Sequence, residues 1–303
     1  MSALETSIII PTHNRRKILK KSLTALNEQI YPSNKYEIIV IDDGSSDGTK
    51  AMVENLNLAP KLIYRYQEQQ GPAASRNHGI KLSQGQFIIF IDDDIIVTPD
   101  FIKAHINIQK KKKKVISHGP VIYTNNLDNP TAEEKKITDY SRAFFATGNV
   151  SLRKKYLIKA GLFNESFYEY GWEDLELGKR LQKLNLKKVK TKPAKGYHYK
   201  KKFIPENIPN LLQRERKRGR MAVIYNQINP NFEVKLQTLN WKPIFWLKNL
   251  LTLAHWPQWN ITYKLVEYAH NHGWKKLCSF LVYFMKLEAY FKGLKQGPDQ
   301  QSQ

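Results

Sequence analysis

Three groups of carboxylates have the residue types and the spacing to do chemistry in this chain of 303 residues. In chain order they are Asp42-Asp43, Asp92-Asp93-Asp94 and Glu173-Asp174. The first two groups each follow an apolar run that predicts a buried strand, so their carboxylates lie where open α/β sheets bind ligands. Together the three groups indicate a site for a nucleoside diphosphate, a divalent metal and a hydroxyl that must lose its proton, which is the chemistry of sugar transfer.

Periodicity and turn residues predict the elements that position these groups. Strands are expected at residues 7–10, 38–41, 62–64 and 87–91, and helices at 17–29, around 52–53 and at 72–82. Further along, Pro99 is expected to open a helix, residues 115–121 and 147–152 to form strands, and residues 174–184 to form an amphipathic helix. Alternation of apolar strands and helices implies an α/β fold with a mostly parallel sheet covered on both faces.

Composition predicts three parts: an α/β domain at residues 1–202, a basic, aromatic-rich helical extension at 203–296 and a disordered tail at 297–303. From residue 183 to the C-terminus, 23 Lys and Arg face 6 Asp and Glu. This basic field suits an anionic membrane surface, a negatively charged acceptor or nucleic acid, or only keeps the protein soluble. Nucleic acid is the least favoured partner because no nucleic-acid-binding motif appears.

The sequence also bears on the compartment. The single Cys278 excludes an internal disulfide and every cysteine-based metal site. No signal peptide is recognised, and no apolar run approaches the roughly 20 residues that span a bilayer. We therefore expect a cytoplasmic protein that can sit peripherally on the inner face of the cell membrane.

Five segments in this order resemble the family 2 glycosyltransferases, which have the GT-A fold. The segments are Pro11-Thr12-His13-Asn14-Arg15, Asp42-Asp43-Gly44-Ser45, Gly71-Pro72-Ala73-Ala74-Ser75-Arg76-Asn77, Asp92-Asp93-Asp94 and Trp172-Glu173-Asp174. The last one also resembles the carboxy-terminal motif of galactosyl- and N-acetylgalactosaminyltransferases. The resemblance covers about residues 7–199 and implies an inverting, metal-dependent glycosyltransferase. Its expected donor is a UDP-sugar, and its expected acceptor is a glycan or glycolipid of surface polysaccharide or glycolipid synthesis.

The resemblance assigns the donor side of the site to the ends of the first, second and fourth predicted strands. A carboxylate after the second strand can accept the imide N–H of uracil, and an arginine can pair with the diphosphate. The expected donor-binding residues are Pro11, Thr12, Asp42, Asp43, Arg76, Asp92 and Asp93. The alternatives are an ordinary Asp/Gly-rich turn after the second strand and a surface arginine at a helix start.

The predicted metal ligands are Asp94, His198 and Asp92. Asp92 and Asp94 are two residues apart on an extended end and point to the same side, whereas Asp93 should face away. The resemblance gives Asp94 to the metal, Asp92 to the ribose or the metal shell, and a downstream histidine to the metal. Because imidazole suits manganese better than magnesium, Mn²⁺ is expected in preference to Mg²⁺. A helix-capping acidic turn and a packed histidine are the alternatives.

Asp174 is the predicted catalytic base, which removes the proton of the acceptor hydroxyl. Its place in the first turn of a helix is expected to keep it ionised. Glu173 would hydrogen-bond sugar hydroxyls, Trp172 would offer an apolar face to a sugar ring, and Gly148 and Asn149 would line the donor-sugar pocket. The alternative is an acidic pair that only caps the helix.

Two other classes stay open on the sequence alone. A nucleotidyltransferase would carry a Gly-rich basic loop after the first strand, and residues 11–15 contain no glycine. A non-catalytic sugar- or nucleic-acid-binding protein would need neither metal nor base. The apolar stripe within residues 274–294 packs on its own domain, lies in a membrane interface or forms a dimer.

Overall fold

The computed structural model describes residues 4–132, 141 and 143–298, and the chain divides into two units. Among the described residues, ten strands and six of the α-helices build the first unit. Unit 1 comprises Met1–Glu165 and Glu173–Lys201. Its strands are β1 Thr6–Thr12, β2 Tyr36–Asp43, β3 Lys61–Gln67, β4 Phe87–Ile91, β5 Ile95–Val97, β6 Val115–His118, β7 Val121–Thr124, β8 Asn149–Arg153, β9 Lys187–Lys190 and β10 Gly196–Tyr199. Its helices are α1 Arg16–Asn27, α2 Thr49–Glu54, α3 Pro72–Leu82, α4 Phe101–Lys111, α5 Lys154–Lys159 and α6 Glu173–Lys183.

The main sheet has seven strands in the order β3-β2-β1-β4-β8-β6-β9. Only β8 runs antiparallel to its neighbours, so the predicted mostly parallel sheet is confirmed. All residues of β2 and β4 are buried, as expected for strands covered on both faces. The strand order reverses direction between β1 and β4, and ligands bind at such a switch point. The carboxyl ends of β1 and β4 therefore mark the candidate site.

A second sheet of three strands, β5-β10-β7, was not predicted. The expected continuous strand over residues 115–121 was wrong, because Gly119 and Pro120 separate β6 from β7 and place them in different sheets. A Cβ atom at Gly119 would lie 2.0 Å from the Ala194 carbonyl oxygen, so only glycine fits at this position. The short polar strands β9 and β10 carry too few apolar residues to be recognised by periodicity.

Unit 2 comprises Ser166–Trp172 and Lys202–Gln303 and is helical among its described residues. Its helices are α7 Ile208–Ile228, α8 Phe232–Gln237, α9 Lys242–Leu251, α10 Asn260–Asn271 and α11 Lys275–Gln296. The division lies one residue from the boundary expected after residue 202, but unit 2 also takes a segment from within the expected α/β part. Of the expected disordered tail, residues 299–303 lie outside the described residues.

Helices α7 and α11 approach each other at two facing glycines. A Cβ atom on Gly219 would lie 2.1 Å from the Tyr290 carbonyl oxygen, and one on Gly293 would lie 2.0 Å from the Arg216 carbonyl oxygen. Both contacts are with backbone atoms, which cannot move aside without separating the helices. The close pairing of α7 and α11 therefore depends on the absence of side chains at these two positions.

We expect Gly219→Ala to lower the free energy of unfolding by about 1–3 kcal/mol, because the added methyl group overpacks the helix contact. This loss should exceed the gain in helix propensity that alanine brings to a helix interior. Urea denaturation followed by circular dichroism measures it. Ser279→Ala, at an exposed position of α11, is the matched control and should change the midpoint little. Equal midpoints for both variants would contradict the close contact.

Candidate active site

The carboxylates that follow β4 lie in a turn rather than on the extended end that was predicted, and one nitrogen of Arg15 contacts both Asp93 and Asp94. Asp93 is buried, and its Oδ2 accepts a hydrogen bond from Thr12 Oγ1 at 2.7 Å. Its main-chain oxygen accepts one from Ser22 Oγ at 2.8 Å. Burial raises the pKa of Asp93 to about 7, against the charge of Arg15. The structure thus gives Asp93 a role in holding the end of β1, rather than the direct donor contact that was predicted.

Arg15, to which the sequence analysis gave no role, joins the loop after β1 to these carboxylates. Its Nη1 lies 3.2 Å from Asp93 Oδ1 and also pairs with Asp94 Oδ2. Burial works against the charged guanidinium, but the carboxylates of Asp93 and Asp94 outweigh it and raise the pKa of Arg15. Its position one residue before α1, opposite an acidic triplet, is the signal that could have identified it.

Asp94 and His198, two of the predicted metal ligands, lie in contact with each other. His198 Nε2 lies 3.2 Å from Asp94 Oδ2, and the His198 ring packs on Tyr123 at 5.4 Å between centroids. Burial tends to raise the pKa of Asp94, but the hydrogen bond and charge of His198, together with Arg15, lower it. Asp94 Oδ1 is buried and has no hydrogen-bond partner in the part of the chain that the structure describes. An oxygen of this kind suits a hard divalent cation.

Asp92, the third predicted metal ligand, does not lie beside Asp94 and His198. Across residues 4–132, 141 and 143–298, no group of three or more His, Cys, Asp or Glu has the arrangement of a metal centre. The Asp92 carboxylate instead lies 3.3 Å from Arg76 Nη2, and its side chain stays partly exposed. Of the three predicted ligands, the structure therefore brings Asp94 and His198 together and leaves Asp92 beside Arg76.

Arg76 bridges two of the three acidic groups. Its Nη1 donates to Glu173 Oε1 at 3.0 Å and its Nη2 to Asp92 Oδ1 at 3.3 Å, while the side chain is buried. Because a buried guanidinium needs a counter-charge, removal of both carboxylates would leave an unpaired buried charge. Arg76 was predicted to pair with the diphosphate or the base edge, and this stays a prediction. In the structure it couples the end of β4 to the start of α6.

Asp174 lies next to this bridge in the first turn of α6. Its Oδ1 accepts a hydrogen bond from the Leu175 backbone N–H at 2.8 Å. Burial raises the pKa of Asp174 to about 7, the charges of Glu173 and Asp92 act in the same direction, and Arg76 opposes them. Burial and the neighbouring carboxylates therefore oppose the ionisation that the helix terminus was expected to favour. Its pKa is that of a group able to take up a proton near neutral pH.

Asp42 and Asp43 are buried at the end of β2 and organise the loops around it. Asp42 accepts from the Ser45 N–H at 2.8 Å and the Tyr64 hydroxyl at 2.7 Å. Asp43 accepts from Gln67 Nε2 at 2.8 Å and from the backbone N–H groups of Gln70 and Gly71, each at 2.9 Å. A carboxylate has about four lone-pair sites, so Asp42 keeps more capacity than Asp43 for a nucleobase N–H.

The loop before β8 borders a cavity of about 260 Å³ whose lining includes Asp92, His118, Tyr123, Gly148 and His198. A Cβ atom on Gly148 would lie 3.2 Å from Asp92 Oδ2, so glycine lets this loop approach the carboxylate. The predicted pocket-lining position of Gly148 is therefore where the structure places it.

Asn149 also lines this cavity, and its amide is already hydrogen-bonded within the protein. Its Nδ2 donates to the Pro120 and Ala194 carbonyl oxygens at 3.1 and 2.9 Å, and its Oδ1 lies 2.9 Å from His105 Nε2. Burial lowers the pKa of His105 to about 4, which keeps the ring neutral. Asn149 thus positions the cavity wall and has no donor left for a sugar.

Trp172 does not present the free ring face that was expected. It belongs to unit 2, where its buried ring stacks on Tyr225 at 5.8 Å and its Nε1 donates to the Arg218 carbonyl oxygen at 2.9 Å. The Arg218 guanidinium lies 4.9 Å from the ring centroid. With these partners in place, the structure assigns Trp172 to packing rather than to sugar stacking.

This architecture, a switch-point sheet with acidic strand ends beside an acidic helix start, defines the GT-A class of nucleotide-diphospho-sugar transferases. The sequence model of Glycosyl transferase family 2 matches residues 7–164, which is more than half of the chain. The chain therefore belongs to glycosyl transferase family 2. The predicted family and GT-A fold are confirmed, whereas the likeness of the Trp172 segment to galactosyltransferases stays a prediction.

Two curated relatives illustrate the range of the family. An uncharacterised glycosyltransferase of Bacillus subtilis is 27% identical over 242 residues, covering 60% of this chain and 62% of its own. A GalNAc(5)-diNAcBac-PP-undecaprenol beta-1,3-glucosyltransferase of Campylobacter jejuni is 31% identical over 175 residues, covering 54% of this chain and 55% of its own. The chain thus spans less than two thirds of the length of either relative.

Solved structures support the fold. A Pyrobaculum calidifontis mannosyltransferase in complex with GDP-Man and Mn²⁺ aligns with a TM-score of 0.61 and 15% identity, over 98% of this chain and 89% of its own. Staphylococcus aureus TarS in complex with UDP-GlcNAc aligns with a TM-score of 0.53 and 20% identity, over 71% of this chain and 66% of its own. In the described part of the chain, no helix has the length and apolarity needed to span a membrane.

Proposed function

We propose that this chain is an inverting, metal-dependent glycosyltransferase that moves a sugar from a nucleotide sugar to an acceptor hydroxyl. The observation that carries the proposal is the Asp92–Arg76–Glu173 bridge. It ties the cavity-lining Asp92 to the helix start that holds Asp174, whose pKa is raised to about 7. A proton acceptor is thereby coupled to the strand end at which GT-A proteins bind their donors.

In the proposed reaction Asp174 accepts the proton of the acceptor hydroxyl as its oxygen attacks the anomeric carbon. The bond between that carbon and the diphosphate oxygen breaks, and the electron pair leaves with the nucleoside diphosphate. Attack from the face opposite the leaving group inverts the anomeric centre. Arg76 holds Glu173 and Asp92 in place, and its positive charge limits the rise in the pKa of Asp174.

Asp94 and His198 are the residues that would hold a divalent cation, with Arg15 fixing the Asp94 carboxylate. The unpaired Asp94 Oδ1 and the nearby imidazole fit such a group, and nitrogen ligation favours Mn²⁺ over Mg²⁺. When bound, the metal neutralises the charge that develops on the departing diphosphate. Mn²⁺ accompanies the donor in the Pyrobaculum mannosyltransferase, which supports the assignment by analogy.

UDP is the proposed nucleotide, with the remaining acceptor capacity of Asp42 available to a uracil N–H. TarS, crystallised with UDP-GlcNAc, supports this choice, whereas the GDP-Man bound by the mannosyltransferase makes GDP the donor to test beside it. A glycan or lipid-linked glycan is the proposed acceptor, by analogy with the undecaprenol-linked substrate in the Campylobacter enzyme's name.

Transfer should depend on pH through Asp174. Since the base must be deprotonated and its pKa is about 7, kcat/KM should fall about 10-fold per pH unit below that value and level off above it. Nucleoside diphosphate release between pH 5.5 and 8.5 measures the profile. Donor binding over the same range is the control and should change far less. A rate that stays level down to pH 5.5 would exclude Asp174 as the titrating base.

The test of the proposed function is turnover of a panel of UDP- and GDP-sugars with Mn²⁺, Mg²⁺ or chelator, reading the nucleoside diphosphate that is released. Slow hydrolysis of one donor, lost with chelator, is the expected result. Where hydrolysis is silent, calorimetry of UDP and GDP with and without Mn²⁺ tests the donor site separately. No turnover together with no Mn²⁺-dependent nucleotide binding would overturn the proposal.

A further inference from the structure

Helix α9 of unit 2 exposes its apolar side chains to solvent and buries a lysine. Its apolar side chains Trp246, Leu247, Leu250 and Leu251 are 69%, 49%, 50% and 48% exposed, whereas Lys248 is 4% exposed. The four exposed residues recur at i, i+1, i+4 and i+5, so they form one continuous apolar stripe along the helix. A helix on the surface of a water-soluble protein has the opposite arrangement, with its apolar stripe facing the core.

The orientation of α9 is fixed by what lies on its other side. Lys248 forms a buried ion pair with Glu288 of α11, and Glu288 also accepts from Gln258 Nε2 at 2.9 Å and lies 2.8 Å from His255 Nδ1. Phe245 packs edge-on against Phe291 at 4.8 Å. Rotating α9 to bury its stripe would break this pair and leave Glu288 without its main counter-charge, which is strongly unfavourable.

The exposed apolar surface continues beyond α9. Leu253, Trp259 and Ile261 are also exposed, and Trp241 precedes the helix. No Asp or Glu occurs between Glu233 and Glu267, a stretch that contains four lysines. Soluble proteins rarely expose large contiguous apolar patches, and where they do, such patches mark sites of interaction. The absence of carboxylates indicates a partner that carries negative charge.

We propose that the α9 stripe inserts into the interface of an anionic lipid membrane and lies parallel to its plane. Short amphipathic helices with Trp, Leu and Lys bind in this way, with the apolar face about 5–10 Å deep at the boundary of headgroups and acyl chains. Anionic headgroups attract lysines at the surface, and Trp favours the interfacial region. The ten residues of α9 suit this position and not a transmembrane one.

Charge distinguishes lipid from a second copy of the chain. Residues 202–303 contain 15 Lys and Arg against 6 Asp and Glu. Two such surfaces brought together in a symmetric dimer repel each other, whereas an anionic bilayer neutralises them. The proposal is independent of the catalytic assignment, because it uses no residue of the candidate active site.

The test is flotation of the full chain with vesicles of phosphatidylethanolamine and phosphatidylglycerol in a ratio of about 3:1, compared with pure phosphatidylcholine vesicles. The wild type should float with the anionic vesicles and bind the zwitterionic ones at least about 10-fold more weakly. The double variant Trp246→Glu/Leu250→Glu should lose at least about 10-fold of the binding. The single variant Trp246→Glu should already weaken the binding, whereas Asn249→Glu, which adds the same single charge on α9 away from the stripe, is its matched control and should lose much less.

A second measurement does not depend on these variants. Phosphatidylglycerol vesicles brominated in the acyl chains should quench tryptophan fluorescence of the wild type, and Trp246→Phe should remove part of that quenching. Absence of flotation, equal loss in the control and the double variant, or quenching unchanged in Trp246→Phe would each overturn the proposal. So would a stable dimer in light scattering that the double variant dissociates, because the stripe would then be a protein interface.

Discussion

Asp174→Asn is expected to reduce sugar transfer by at least about 1,000-fold while leaving nucleotide-sugar binding close to that of the wild type. Asparagine has the shape of aspartate and can still accept the hydrogen bond from the Leu175 N–H. It cannot take a proton from an acceptor hydroxyl at neutral pH. The loss should therefore appear in kcat, measured as nucleoside diphosphate release with acceptor present, and not in the donor dissociation constant measured by calorimetry.

Stability separates this result from misfolding. The pKa of Asp174 is raised in the folded state, so its contribution is favourable at low pH and is lost as pH rises through about 7. Above that pH the ionised carboxylate disfavours folding, and the neutral variant should unfold at an equal or higher temperature than the wild type. Asp128→Asn, at an exposed carboxylate, is the matched control and should keep both turnover and melting temperature. Substantial turnover by Asp174→Asn would assign the base elsewhere.

Asp94→Asn is expected to abolish metal-dependent turnover, with a loss on the order of 1,000-fold or more. The substitution removes a negative charge and the oxygen atom that lies unpaired and buried beside His198. Metal affinity should fall by at least about 10-fold even if the amide retains one contact. Calorimetric titration of UDP in the presence and absence of Mn²⁺ measures this loss directly and needs no acceptor.

The two variants serve as controls for each other. Asp174→Asn should retain Mn²⁺-dependent nucleotide binding and lose transfer, whereas Asp94→Asn should lose both. Since Arg15 also pairs with Asp94 and Asp93, thermal melting of Asp94→Asn must be measured alongside. An Asp94→Asn protein that folds normally and keeps full Mn²⁺-dependent binding would contradict the assignment of Asp94 as a metal ligand.

Much of unit 1 was predictable because its signals are local. The apolar runs before Asp42 and Asp92 predicted β2 and β4, and β4 and α3 have the bounds that were expected. Strand ends with acidic residues predicted where the site lies, since that follows from parallel-sheet geometry. The polar strands β9 and β10 and the break at Gly119 depend on partners distant in sequence, and periodicity could not reveal them.

Residue roles were less predictable than residue positions. Arg76 and Asn149 have the chemistry to bind a donor, and the fold pairs Arg76 Nη1 and Nη2 with Glu173 and Asp92, and Asn149 Oδ1 with His105. Arg15 belongs to a recognised segment but was given no role, and its contact with Asp93 appears only where α1 starts beside the end of β4. A sequence lists donors and acceptors, whereas packing decides which of them are already paired.

The sequence by itself determined the family, the GT-A fold and the location of the acidic groups, because hydrophobic periodicity and strand-end chemistry are local properties of the chain. Only the tertiary structure decided that Trp172 packs away from solvent and that Asp174 has a raised pKa. It also decided that α9 buries Lys248 and exposes its leucines. Each of these depends on desolvation and on contacts between residues far apart in the chain, which no spacing in the sequence records.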